Sequence, residues 1–166
     1  MHSTFKISEE GVRAALGRFK GLSHRAELFL SVNGIDFIDS SIDTTPDRCA
    51  ATLRALARPV LLLLGGRGKR VSAEGVLGDI ARYARAVALY GEFGEELDAL
   101  LERDGRTRDI PRKRYTDFNG AVGYLLTVAS AGDTVLLSPA ATAFDQFRDY
   151  RERGDRFKEL VGDFYR

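Results

Sequence analysis

Residues 59 to 70, PVLLLLGGRGKR, run four leucines into three glycines, two arginines and Lys69. A glycine-rich loop with a lysine behind an apolar strand could cradle phosphate through consecutive backbone N–H groups. The spacing excludes the Walker form of that chemistry, which needs Gly, four residues, then Gly-Lys-Ser/Thr. Counting back from Gly68-Lys69 puts Leu63 at the first glycine and Arg70 at the hydroxyl. The dinucleotide fingerprint fails as well, because Val71 stands where Gly66-x-Gly68 requires a third Gly or Ala. Two readings remain for Lys69: a cation whose long stem reaches an anionic ligand above the sheet, or a solvated lysine on a strand-end turn.

Other reactive side chains are sparse. One cysteine, Cys49, excludes an intramolecular disulfide, and with two histidines there is no Cys/His cluster of zinc spacing, so no metal site is expected. Cys49 lies in a helical pattern between Arg48 and Ala50 and reads as a buried small residue. Lys plus Arg (25) against Asp plus Glu (24) leaves +1, which offers no global argument for nucleic acid or an anionic membrane. The basic stretch RDGRTRDIPRKR, 103 to 114, contains Gly105 and Pro111 and reads as a solvated loop, Arg112 included. No apolar run approaches a membrane span and MHSTFKISEE has no signal-peptide core, so a cytoplasmic protein is expected.

The elements that must position Lys69 follow from periodicity. At 166 residues, 44% hydrophobic and 30% charged, the chain fits one globular domain. Ser8 caps an expected helix through about Phe19, and GLSHR breaks it. Strands AELFLSV and IDFIDS flank Asn33-Gly34, a two-residue hairpin signal. Thr45-Pro46 starts a helix that Pro59 stops before VLLLL. Ser72 caps a helix to about Tyr83, AVALYG is a short strand, and EFGEELDALLER is amphipathic and helical. A brief strand near Arg114-Tyr115, a helix from Asp117 to about Ala129 and the strand TVLLSP come next. The tail from ATAFDQF onward is expected to be helical and broken near Gly154. Strands that are apolar without alternation imply a mostly parallel sheet covered on both faces, a Rossmann-like three-layer α/β fold with an N-terminal hairpin. Its ligand edge would collect IDSSIDTT, GGRGK, YGE and SPAAT.

Four segments in one order go further: GLSHR (21 to 25), FIDSSIDTTPDRCAATL (37 to 53), LLLGGRGK (62 to 69) and LLSPAATAFDQFRDYRERGDRFKELV (136 to 161). Together they closely resemble the C-terminal domain of the UDP-N-acetylmuramoyl-L-alanine:D-glutamate ligases (MurD) of the Mur ligase family. The resemblance implies a domain that delivers glutamate to UDP-N-acetylmuramoyl-L-alanine in peptidoglycan synthesis. ATP and Mg would be held mainly by a central domain that carries the Walker loop, so the 166 residues alone are expected to be inactive. Residues 1–25 would be a helix and hinge leading from that domain, and 26–166 the amino-acid-delivering domain. By the same resemblance Lys69 stands where a lysine meets the glutamate carboxylate, and Arg25 where an arginine contacts the nucleotide on closure. Thr44 matches a threonine near the amino-acid carboxylate, with helix capping as the alternative. Phe144 and Tyr150 match residues lining the glutamate pocket, with helical core as the alternative. His24 carries less weight, as a packing or surface residue.

The departures lie in the loop after the second strand. The family string Asn-Asp-Ser-Lys-Ala-Thr-Asn is here Asp39-Ser40-Ser41-Ile42-Asp43-Thr44-Thr45. Ile42 removes a cation, and Ser40 occupies the place of a nucleotide-contacting aspartate, leaving Asp39 or Asp43 as substitutes. Ala143 stands where a pocket serine is common. Arg67 or Arg70 would compensate for the lost cation, or the amino acid preferred differs from D-glutamate. A standalone binding module that kept the fold and lost catalysis is the competing function, and an interaction domain without a ligand the third.

Overall fold

The computed structural model describes residues 21–69 and 72–166. The helix expected from Ser8 to Phe19 lies outside the described residues, as do Arg70 and Val71. Among the described residues six strands form one sheet: β1 (Glu27–Val32), β2 (Ile35–Asp39), β3 (Val60–Gly65), β4 (Ala84–Tyr90), β5 (Arg112–Tyr115) and β6 (Thr134–Leu137). Their order is β1-β2-β6-β3-β4-β5, with β1 antiparallel to β2 and every other pair parallel. Asn33 (φ 53°) and Gly34 (φ 75°) make the β1–β2 turn with both central residues left-handed, as the hairpin signal requires.

The helices are α1 (Pro46–Leu56), α2 (Leu77–Tyr83), α3 (Gly94–Arg103), α4 (Phe118–Val128) and α5 (Tyr150–Phe164), with a 3-10 turn at Glu74–Val76. Alternate residues of β2, β3, β4 and β6 supply two separate cores. Ile38, Leu62, Leu64, Val87, Leu89 and Leu136 pack with Cys49, Leu53, Ile80 and Leu97 from α1, α2 and α3. Phe37, Leu61, Leu63, Ala88, Val135 and Leu137 pack with Phe118, Leu125, Phe157 and Val161 from α4 and α5. Both faces are covered, which is why these strands show no polar alternation. The chain steps from β3 to β4 to β5 with helices on the first face, then returns through α4 on the second to place β6 between β2 and β3. Right-handed crossovers demand that change of face when the direction reverses. The loops after β3 and β6 then lead to helices on opposite faces, which makes this carboxyl edge the switch point of the sheet, although the two loops stay joined by a bridge between Arg67 and Thr142.

Two expectations are corrected. The tail is helical only from Tyr150, and α5 runs unbroken through Gly154. A Cβ on Gly154 would lie 2.5 Å from both Asp39 Oδ2 and Ser41 Oγ and against His24 Nδ1. That glycine serves close approach, not helix termination. Arg112 is not solvated: it opens β5, its side chain is 14% exposed, and it pairs with Asp98 (2.7 Å) and Glu102 of α3.

Candidate functional site at the carboxyl edge of the sheet

Four loops meet at this edge, and backbone hydrogen bonds lock them together. Gly65 N donates to Pro139 O (2.9 Å) and Gly66 N to Tyr90 O (3.2 Å), while Arg67 and Thr142 exchange bonds of 2.9 and 3.0 Å. Ser40 N donates to Leu137 O (2.8 Å) and Phe93 N to Gly66 O (2.8 Å). Gly65 (φ 132°) and Gly66 (φ 123°) adopt backbone that side chains rarely take, and a Cβ on either would strike the backbone of Tyr90 or Thr142. The glycines close the loop against its neighbours.

Lys69 is exposed on that loop. It borders a cleft of about 380 Å³ shared with Arg67, Gly68, Ser72, Glu92, Phe93 and Glu96. Arg67 is engaged by Glu92 through two bonds of 2.9 Å, which hold the Glu92 carboxyl below its ordinary range. Thr44 is half-buried after β2, ahead of α1, whose N-cap position is taken by Thr45. Tyr150 is half-buried at the start of α5, edge-on to His24 with ring centroids 6.0 Å apart. Phe144 is 60% exposed in the loop after β6, so the helical-core alternative does not describe it. Arg25 is exposed between His24 (φ 65°) and Ala26 (φ 44°), two left-handed residues that kink the chain there.

The remaining candidates face inward. Asp39 is fully buried, accepting from Ser41 N (2.8 Å) and from His24 Nδ1 (2.7 Å). Ser40 is fully buried and its Oγ accepts from Ala26 N (3.1 Å). Asp43 accepts from Thr52 Oγ1 (2.7 Å) and Ser138 Oγ (2.8 Å), and burial raises its carboxyl above the ordinary range despite those bonds. His24 belongs to the packing, 8% exposed.

His24, Glu27 and Asp39 bring three potential metal-ligand atoms within 4.8 Å of one another. Lys158 Nζ already supplies the cation there, 2.7 Å from Glu27 and 3.5 Å from Asp39. That donor set does not suit Mg. The β3 loop, lacking the Walker spacing, does not suit a triphosphate either. A larger groove of about 680 Å³ lies between the starts of α4 and α5, but Arg148 with Glu152 and Arg156 with Glu159 pair among its walls and leave it a solvated, mixed-charge surface.

The family profile described as Mur ligase, glutamate ligase domain matches residues 24–141. The chain belongs to that family. It is 35% identical over 159 residues to the UDP-N-acetylmuramoylalanine--D-glutamate ligase of Acetivibrio thermocellus, covering 93% of this chain and 34% of that protein. The chain thus spans about a third of the length of the relatives it matches. E. coli FolC in complex with DHPP and ADP shares the fold at 16% identity and a TM-score of 0.66, over 96% of this chain and 36% of that one. The murein peptide ligase Mpl of Psychrobacter arcticus shares it at 15% identity and a TM-score of 0.61, over 90% of this chain and 32% of that one. No described helix is long and apolar enough to cross a membrane.

The sequence missed Arg153, fully buried among these loops. Its signal was present: Arg153, Phe157 and Val161 recur every four residues, the spacing of one helix face.

Proposed function

We propose that this chain is the amino-acid-delivering domain of an ATP-dependent UDP-N-acetylmuramoyl-L-alanine:D-glutamate ligase of the cytoplasm. The observation that carries the proposal is Lys69, an exposed cation bordering a cleft at the carboxyl edge of the sheet, on a loop closed by glycines, in a chain whose family is the glutamate ligase domain. Lys69 neutralises a glutamate carboxylate and fixes its direction, so that the amine faces the activated acid. Thr44 offers a hydroxyl to the same amino acid, and Tyr150 and Phe144 pack its aliphatic stem. Arg25 meets the nucleotide when the domains close. ATP and Mg supply the activation of the acid and are held by another domain, so these 166 residues alone turn over no ATP. Asp39 and Ser40 act by shaping the loop.

One observation favours the binding-module alternative: of the three residues expected at the nucleotide, Asp39 and Ser40 are buried and bonded within the domain, and only Arg25 is exposed. A Gly-Lys-Ser/Thr loop upstream in the same polypeptide decides for the ligase. The direct test is Lys69→Ala in the ligase that carries this domain. An ionic contact whose partner is left buried is worth roughly 2–5 kcal/mol, which is about a thirtyfold or larger loss in kcat/KM for glutamate. The KM for glutamate should rise while the melting temperature of the domain stays unchanged. Wild-type kinetics for glutamate would reduce the loop to a strand end.

A further inference from the structure

The segments that form the ligand edge converge on one side chain. Arg153 leaves the first turn of α5 and is fully buried. Its Nη2 donates to Ser41 O (2.9 Å) and Ala141 O (3.1 Å), and its Nη1 to the Tyr90 hydroxyl (3.2 Å). A Cβ on Gly66 would stand 3.1 Å from Nη1, so the β3 loop passes the same guanidinium. One residue therefore touches the segments after β2, β3 and β6 and the last residue of β4. Tyr150 begins the helix that carries it. All three acceptors are neutral oxygens and Nε has no hydrogen-bond partner, so the buried charge depends on these dipoles and on the nearby Asp145 carboxylate being held in place around it.

We propose that Arg153 is the positioning residue of the ligand edge: without touching ligand, it fixes the mutual placement of the Ser41, Gly66 and Ala141 segments and hence the spacing of Thr44, Lys69 and Tyr150. A planar fork with fixed donor directions does this where an ammonium on a flexible stem does not. The effect on catalysis rests on the ligase proposal, whereas the effect on loop order does not.

Arg153→Lys and Tyr90→Phe test it, the second removing one hydrogen bond while keeping the buried ring. In the 166-residue chain, hydrogen exchange is followed at Gly66, Arg67 and Thr142 against Leu63 and Leu136 in the sheet. Arg153→Lys should speed exchange of the loop amides by ~10-fold or more with the sheet amides protected as before. Tyr90→Phe should move them the same way by less. In the ligase carrying this domain, Arg153→Lys should raise the amino-acid KM by ~10-fold, more than it lowers kcat. Loop exchange at the wild-type rate in both variants overturns the proposal. So does equal acceleration in loops and sheet, which would make Arg153 a plain stability element. Loosened loops with an unchanged KM uphold the ordering of the loops by Arg153 and overturn the placement of the amino acid on Thr44, Lys69 and Tyr150.

Discussion

Gly154→Ala sets helix propensity against packing, and the two predict opposite signs. Alanine inside a helix is favoured over glycine by about 1 kcal/mol. Position 154 is interior to α5, so propensity alone makes the substitution stabilising. The added methyl, however, would lie 2.5 Å from Asp39 Oδ2 and from Ser41 Oγ and press on His24 Nδ1. Ser41 Oγ has no hydrogen-bond partner and can rotate, but the Asp39 carboxylate cannot swing away, being fully buried and bonded to His24 at 2.7 Å and to Ser41 N at 2.8 Å. Overpacking costs about 1–3 kcal/mol, and loosening a hydrogen bond to a charged group about 1.5–3 kcal/mol. After the propensity gain the net loss is about 1.5–5 kcal/mol, a fall of roughly 3–20 °C in melting temperature for a domain of this size. Gly162→Ala is the control on the same helix, since a Cβ there meets nothing within 4 Å. Thermal and urea unfolding of both variants give the comparison. Gly162→Ala should be neutral or stabilising, and a Gly154→Ala variant that gained stability beside it would refute the close-approach account.

Asp43 gives the pH dependence. Burial raises its folded carboxyl above the ordinary 3.8, so as pH rises past that value the unfolded chain ionises first and stability declines until the folded group also ionises. Asp43→Asn removes that decline, so its stability relative to wild type should grow from pH 3.8 upward and then level off in urea titrations at successive pH. A difference that is flat or shrinks with pH contradicts the assignment. Cys49 is fully buried and its thiol is pushed up to about 12, so a thiol reagent should label it only as fast as the domain unfolds. Prompt labelling of the native protein would place the residue outside the core.

The strands were legible because their apolar runs are long enough to need cover on both faces, and Asn33-Gly34 and Thr45-Pro46 mark a turn and a helix start by local chemistry alone. The interior of α5 was not. In YRERGDRF five charged side chains surround a glycine, and composition reads that as a solvated helix with a weak point. The buried guanidinium and the glycine are neighbours in the first turns of the helix for different reasons. Arg153 bonds three segments brought together from β2, β4 and β6, and Gly154 admits the His24–Asp39 pair. Both reasons are tertiary: the four-residue spacing with Phe157 and Val161 puts Arg153 on the buried face, but its acceptors and the atoms around Gly154 come from distant segments. Arg112 failed in the same way, since Asp98 and Glu102 reach it across the turn from α3 to β5.

The loop after β2 shows why residue type alone misplaces roles at such an edge. Asp39, Ser40 and Asp43 looked like ligand groups, yet each bonds within the protein, as a buried polar group must. Ile42 and Thr44 are left half-buried where those residues turn away. Arg67 does not replace the cation that Ile42 lacks, because Glu92 holds it in a bidentate pair. Positive charge is present on the other flank: Arg48, exposed in the first turn of α1, places Nη1 3.4 Å from Ile42 O. The N-terminal end of α1 in turn lies against the 3-10 turn that follows the Lys69 loop, where a Cβ on Gly75 would be 3.9 Å from Asp47 Oδ1. The cation nearest Ile42 thus comes from the helix that follows the loop and is engaged by a backbone carbonyl of that loop.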